Sequence, residues 1–146
     1  MTLFRLERTV PLAPEEAWRR LTDWPAHGRQ VPLTRTLVLT PGPNRAGTRF
    51  VARTGLGRLS FDDPMEVVRW EPPAAGRPGV CRLEKSGRAV RGWAQVEVVG
   101  TRTGGSRVRW TEDLSVRGVP GAFDGLLARA GRLVFGRALK GVLRGR

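Results

Sequence analysis

The chain of 146 residues predicts an α+β domain in which one antiparallel sheet wraps a C-terminal helix. Three observations carry this. The stretch from Gly121 to Arg146 contains no proline and is apolar at helical spacing. Nearly everything between Arg35 and Val116 alternates at period two and is broken by turn residues. One short helix, Pro14 to Thr22, precedes the strands. A curved sheet around a terminal helix can leave a space between the two, so the expectation is a container for an apolar molecule.

Each element has a local reason. Thr2 to Val10 sets Phe4, Leu6 and Val10 against Arg5, Glu7 and Thr9, the pattern of a half-buried strand. Pro14 suits the first position of a helix, where its missing N–H costs nothing. Glu15 and Glu16 follow in the first turn, where the helix dipole favours negative charge. Ala17, Trp18 and Leu21 form its apolar stripe, and Pro25 closes it. Trp24 to Leu33 reads as a turn-rich connection with room for a second helical turn. Strands are expected over Thr36–Thr40, Thr48–Arg53, Arg58–Phe61, Met65–Trp70, Val80–Lys85, Val90–Val99 and Arg107–Val116. Asp62-Asp63-Pro64 predicts a bulge or an edge position, because proline cannot donate a ladder hydrogen bond.

In the closing helix, at about 100° per residue, Phe123, Leu127, Ala130, Val134, Ala138 and Val142 share one arc. Arg129, Arg132, Arg137, Lys140 and Arg144 oppose them. Ala130, Gly131, Ala138 and Gly141 lie on or beside the apolar face. They either let the helix approach the sheet or leave room for a ligand.

Forty per cent hydrophobic residues and five tryptophans are enough for one core, so residues 1–146 read as a single domain. No stretch approaches the 18 consecutive apolar residues of a membrane span. Met1 to Arg5 lacks the charged-then-apolar pattern of a signal peptide. Cys81 is the only cysteine, which excludes an intramolecular disulfide and a thiol metal cluster. The expected location is cytoplasmic.

The formal charge of +13 raises nucleic acid as a partner. Among the 26 basic residues, however, only Lys85 and Lys140 are lysines, while glycine (19) and proline (11) are abundant. Arginine, glycine, proline and alanine share GC-rich codons, so base composition accounts for much of the arginine. Arg49, Arg53, Arg58, Arg107 and Arg109 alternate outward along strands, as on a solvated outer face. The reading is therefore a basic surface without a nucleic-acid partner, with peripheral contact to anionic lipid open to the last helix.

The phrase Val10-Pro11-Leu12-Ala13-Pro14-Glu15-Glu16-Ala17-Trp18, followed by Leu21-Thr22-Asp23-Trp24-Pro25, resembles the N-terminal signature of the START-like helix-grip superfamily (SRPBCC). Within it, the likeness is to bacterial polyketide cyclase/dehydrase-like proteins. Gly47-Thr48-Arg49-Phe50, Glu66 to Pro73, Ser106 to Trp110 and the closing helix fit in the same order. The resemblance spans the chain. It implies a sheet of about seven strands gripping the C-terminal helix, with a cavity between them and one or two short helices after the first strand. The superfamily includes lipid carriers, hormone receptors and aromatase/cyclases. Tyrosine, used in several cyclase cavities of this kind, is absent here.

Two functions follow. The first is binding of a hydrophobic small molecule, lipidic or aromatic and polyketide-like, in that cavity. The second is cyclase or aromatase chemistry by acid and base residues, without metal or cofactor. His27, the only histidine, lies after the first helix, and its ordinary pKa near 6.5 suits proton transfer. Glu112 is the one charge on the face Val108, Trp110, Glu112, Leu114, Val116, which aims it at the cavity and favours an arginine partner, Arg82 or Arg91. The aromatics Phe50, Phe61, Trp70, Trp93, Trp110 and Phe123 are candidate pocket walls, completed by Leu127, Ala130, Val134 and Ala138 of the helix. Asp62 and Asp63 are adjacent in a strand and so face opposite ways. Cys81 reads as an inert buried thiol.

Overall fold

Seven strands form one antiparallel sheet in the order β1-β7-β6-β5-β4-β3-β2. They are β1 (Thr2–Val10), β2 (Thr34–Val38), β3 (Arg49–Leu56), β4 (Leu59–Glu71), β5 (Gly79–Ser86), β6 (Val90–Gly100) and β7 (Ser106–Val116). The described residues also form three α-helices: α1 (Pro14–Leu21), α2 (Trp24–Gln30) and α3 (Asp124–Leu143). These come from a computed structural model that describes residues 2–118 and 120–144.

The antiparallel sheet and its closing helix are those the sequence predicts. The strand after α2 lies two residues earlier than expected, at Thr34–Val38. The connection between α1 and that strand holds a full helix, because the Asp23 carboxylate accepts the Ala26 N–H at 3.2 Å and caps it. The last helix begins after a 3-10 turn at Gly121–Phe123; Gly145 and Arg146 lie outside the described residues. β4 runs unbroken through Pro64, and its irregularity falls between Val67 and Arg69. Pro64 pairs with Val51 of β3, while the β4–β5 ladder begins only at Met65. The proline thus sits where β4 is locally an edge, and its missing N–H breaks no bond.

β1 and β2 are the two edges of the sheet. The connection that joins them, α1 and α2, crosses the concave side, and α2 packs on β2 while α3 packs on β1. The core lies between: Phe4, Leu6, Trp18, Leu21, Trp24, Val67, Val108, Leu139 and Leu143 are all buried. The convex face carries cross-strand ion pairs. Arg49 bonds Glu66 at 2.7 Å, Arg53 bonds Asp62 at 2.7 Å, and Arg109 bonds Glu7 at 2.9 Å. Such exposed pairs stabilise by only about 0–1 kcal/mol each, so they mark the wet face more than they hold it.

The face that α3 buries differs from the arc read from the sequence. Ala138 and Val142 are buried as expected, but Phe123, Ala130 and Val134 are exposed. In the first half of the helix, Ala128, Gly131 and Phe135 point inward instead, a rotation of about one residue. Close packing is the reason. A Cβ on Gly131 would stand 2.8 Å from the Phe4 ring, and one on Gly141 would collide with the Gln30 amide. An angular plot weights hydrophobicity and gives glycine nothing, yet glycine is what lets this face touch β1. The small residues at Gly131 and Gly141 therefore serve approach, not ligand space.

Two Gly→Ala changes in the same helix are expected to act in opposite directions. At Gly125 nothing lies within 4 Å of the new Cβ, and the better helix former should stabilise by about 0.5–1 kcal/mol. Gly131→Ala should destabilise by about 1–2 kcal/mol despite the same propensity gain, because Phe4 is buried and cannot move aside. Denaturant unfolding of the two variants beside wild type checks the sign of each.

Candidate functional site

A cavity of about 270 Å³ lies under the concave face. Its walls are inward residues of β2 to β7, its floor is α2 through Trp24 and His27 with Val31 just after the helix, and Phe135 of α3 closes one side. Strand alternation aims these side chains. On β7, Val108, Trp110, Glu112, Leu114 and Val116 share the inner face; on β4, Phe61, Asp63 and Met65 do so.

The lining is mostly apolar, its charged side chains form one cluster, and Thr34, Thr36, Thr54 and His27 are its other polar residues. Lys85 of β5 donates through Nζ to Asp63 Oδ2 at 2.6 Å and stands 3.7 Å from Glu112 Oε2. The Trp110 indole N–H donates to Glu112 Oε1 at 3.0 Å. The Lys85 and Glu112 side chains are 4% and 1% exposed. The register explains how the lysine of β5 reaches the glutamate of β7 across β6. At this level β6 presents only Gly92 opposite Lys85 and Ala94 opposite Glu112, so no β6 side chain stands between the charges.

Burial raises the pKa of Glu112, and neither the Lys85 ammonium nor the Trp110 N–H fully offsets that. Burial also opposes the charge on Lys85, but Glu112 and Asp63 together outweigh it, so its pKa is raised and it stays an ammonium. Two carboxylate oxygens in this cluster, Asp63 Oδ1 and Glu112 Oε2, are buried without a hydrogen-bond partner. Buried polar atoms are usually satisfied in folded proteins; Trp18 Nε1 and Asp113 Oδ1 are the other two buried side-chain atoms without a partner among the described residues.

His27 also lines the cavity. Its ring lies 5.4 Å from Trp110 and 6.1 Å from Trp24, and Nε2 bonds the Leu21 carbonyl at 2.7 Å. That bond requires the proton on Nε2. Burial lowers the His27 pKa, so the imidazole is neutral at pH 7 with Nδ1 as an acceptor. Trp110 contacts both His27 and Glu112, its ring tilted by 42° against the imidazole and its indole N–H donating to the carboxylate.

Phe50, Phe61, Trp110, Glu112 and His27 thus meet around one space. Other aromatics do not. Trp70 packs on Trp18 of α1, centroids 5.0 Å apart. Trp93 faces outward beneath the Arg82 guanidinium, 4.3 Å from its ring centroid. Phe123, Leu127, Ala130, Val134 and Ala138 do not border the cavity; Phe135 alone represents α3 there. The partner of Glu112 is Lys85 and not Arg82 or Arg91: alternation puts Arg82 beside Trp93 on the outer face, and Arg91 is exposed. The sequence reading missed Lys85 and Asp63. Extending the parity of Cys81 and Leu83 by two residues finds the lysine, and the parity of Phe61 and Met65 finds the aspartate. Cys81 is buried, and burial pushes its thiol up to about 12, which leaves it unreactive.

Among the described residues, no group of three or more His, Cys, Asp or Glu is placed to hold a metal ion, and no helix is long and apolar enough to cross a membrane. Residues 1–144 match the family model described as polyketide cyclase/dehydrase and lipid transport. No curated protein matches the chain. Solved structures share its fold. A START superfamily protein from Mycobacterium smegmatis is 15% identical with a TM-score of 0.72, covering 99% of both chains. A protein from Thermus thermophilus is 19% identical with a TM-score of 0.68, covering 97% of this chain and 94% of that one. The Zhui aromatase/cyclase from a Streptomyces species is 15% identical with a TM-score of 0.66, covering 98% of this chain and 93% of that one.

The cluster has two expected consequences for stability. A raised folded-state pKa means that the folded protein holds a proton the unfolded chain has released. The contribution of Glu112 is then fully present below about pH 4 and lost as pH rises through the folded value. Glu112→Gln escapes this loss, so it should match wild type near pH 4.5 and exceed it in Tm at pH 8; a lower Tm at pH 8 contradicts the reading. Lys85→Met leaves two carboxylates facing each other and should cost about 3–5 kcal/mol at pH 7. That cost should shrink in acid and in the triple variant with Asp63→Asn and Glu112→Gln, as followed by urea unfolding.

Proposed function

Because the chain belongs to the polyketide cyclase/dehydrase and lipid-transport family, we propose that it binds a small apolar molecule carrying one hydrogen-bonding group in the cavity beneath its sheet. The observation that carries this is a mostly apolar cavity in which two carboxylate oxygens, Asp63 Oδ1 and Glu112 Oε2, are buried without a hydrogen-bond partner. At about 270 Å³ the cavity falls just below the usual ligand-pocket range of about 300 to 1,000 Å³. A flat ring system or a short acyl chain suits it better than a two-chain lipid. The aromatic walls, Trp24 stacked on Phe50 at 4.7 Å with Trp110 beside His27, favour a planar body. A ligand hydroxyl would donate to the free oxygens. A ligand carbonyl would accept from Lys85, or from Glu112 when it is protonated.

A cyclase reading needs an acid and a base that converge on substrate. Glu112, with its raised pKa, suits the acid. His27 is the only imidazole, and its Nε2 is committed to the Leu21 carbonyl. This arrangement favours binding over turnover.

Native mass spectrometry of freshly purified protein, followed by organic extraction, should release one small apolar molecule per chain. Ala94→Leu puts a larger side chain into the cavity wall and should abolish its uptake without unfolding the protein. Glu112→Gln should weaken a hydroxyl-bearing ligand by about 10-fold, the loss of one hydrogen bond to a charged group. Equal affinity in both proteins would remove Glu112 from the site.

A further inference from the structure

The cavity opens at one end of the molecule, and large apolar side chains are exposed around that opening. Val31, Thr34 and Phe61 line both the inner cavity and a broad outer cleft. The cleft is framed by the α2–β2 turn, the β3–β4 hairpin and the β5–β6 turn. On this rim, Leu33, Leu56 and Leu59 are 61%, 69% and 88% exposed, and Phe61 is also exposed. Leu33 is held there in the left-handed backbone region, with φ of 58°, a conformation unfavourable for a leucine. Large apolar side chains clustered at one mouth, one of them on strained backbone, mark an interaction surface. Codon bias explains arginine; it does not explain leucine at a hairpin tip.

Charge surrounds these side chains. Arg29, Arg35, Arg53 and Arg88 border the cleft, and Arg58 stands at the hairpin tip between Leu56 and Leu59. Arg53 is engaged by Asp62. Among the described residues, Arg29, Arg58 and Arg88 have no carboxylate partner. A surface of exposed leucines ringed by free guanidinium groups complements a plane of phosphates over hydrocarbon. A second copy of the chain would set guanidinium against guanidinium. Nucleic acid would leave the leucines in water.

We propose that this rim docks on an anionic lipid bilayer, with Leu33, Leu56, Leu59 and Phe61 among the acyl chains and Arg29, Arg58 and Arg88 on lipid phosphates. The occupant of the cavity then passes between bilayer and protein without crossing water. This inference rests on the cavity being a ligand site and names the surface that loads it. It moves lipid contact from the outer face of α3, where the sequence put it, to the mouth.

The test is co-sedimentation of the full chain with vesicles of phosphatidylcholine, alone or mixed with phosphatidylglycerol, alongside uptake of a soluble apolar fluorophore. Wild type should sediment with the mixed vesicles only, and salt should release it. Leu56→Ser/Leu59→Ser changes exposed side chains and should keep the wild-type Tm and fluorophore uptake while losing at least about 10-fold in vesicle affinity. Arg58→Ser/Arg88→Ser should lose about 25-fold, near 5-fold per arginine. Equal binding to both vesicle types, or variants that bind like wild type, overturns the proposal. So does a dimer in sedimentation velocity that the double leucine variant dissolves. Fluorophore uptake without vesicle binding sinks the docking alone, whereas vesicle binding without uptake sinks the ligand reading and leaves the docking surface standing.

Discussion

Helix α3 packs mainly along the β1 edge of the sheet, and most of the architecture depends on that asymmetry. Gly131 brings the helix against Phe4 of β1, and Gly136 faces Leu6 and Arg8. The Arg20 guanidinium donates to the Leu143 carbonyl at 2.5 Å and ties the far end to α1. Held to β1 and the short helices, α3 does not lie over β4 and β5. The concave surface of those strands must then be covered by something other than a helix. Side chains do so at the α1 end, where Trp18, Trp70 and Val67 fill the space. At the other end the cavity remains.

Charge within that cavity follows a consistent logic. Isolated charges in apolar surroundings are costly, and a buried ammonium or carboxylate left with no opposite charge costs more than its pairing returns. Three charged groups placed there are more than packing requires, since leucine or methionine would fill the same volume. The geometry concentrates them. Gly92 and Ala94 leave a gap in β6 through which Lys85 reaches Glu112, and Asp63 holds the ammonium from β4. The arrangement gives a greasy space one polar locus with both donors and acceptors, which is how binding pockets fix orientation.

Much of this was legible in the residues, and the exceptions share a cause. Alternation along β7 aimed Glu112 inward, and the same parity on β3 and β4 put Phe50 and Phe61 on the inner face. Local pattern worked wherever one strand sufficed. It failed where two elements had to be combined. Trp93 belongs to the outer parity of β6, yet its size suggested a wall; the cation above it comes from β5. Lys85 borders a Ser-Gly turn, and nothing local shows that β4 and β7 bring carboxylates to it. The face of α3 was misread by one residue because approach distance, set by glycine, outweighed hydrophobicity.

From Leu59 to Pro64, β4 is bonded to β3 and has no ladder to β5. A strand held on one side exchanges its amide protons and opens locally at a fraction of the global unfolding free energy. Phe61, which separates the inner cavity from the outer cleft, sits on that half-tethered segment. Opening of the cavity at Phe61 is thus set by a small local free energy and not by the strength of the whole fold, so a robust protein of this design can still expose its interior quickly.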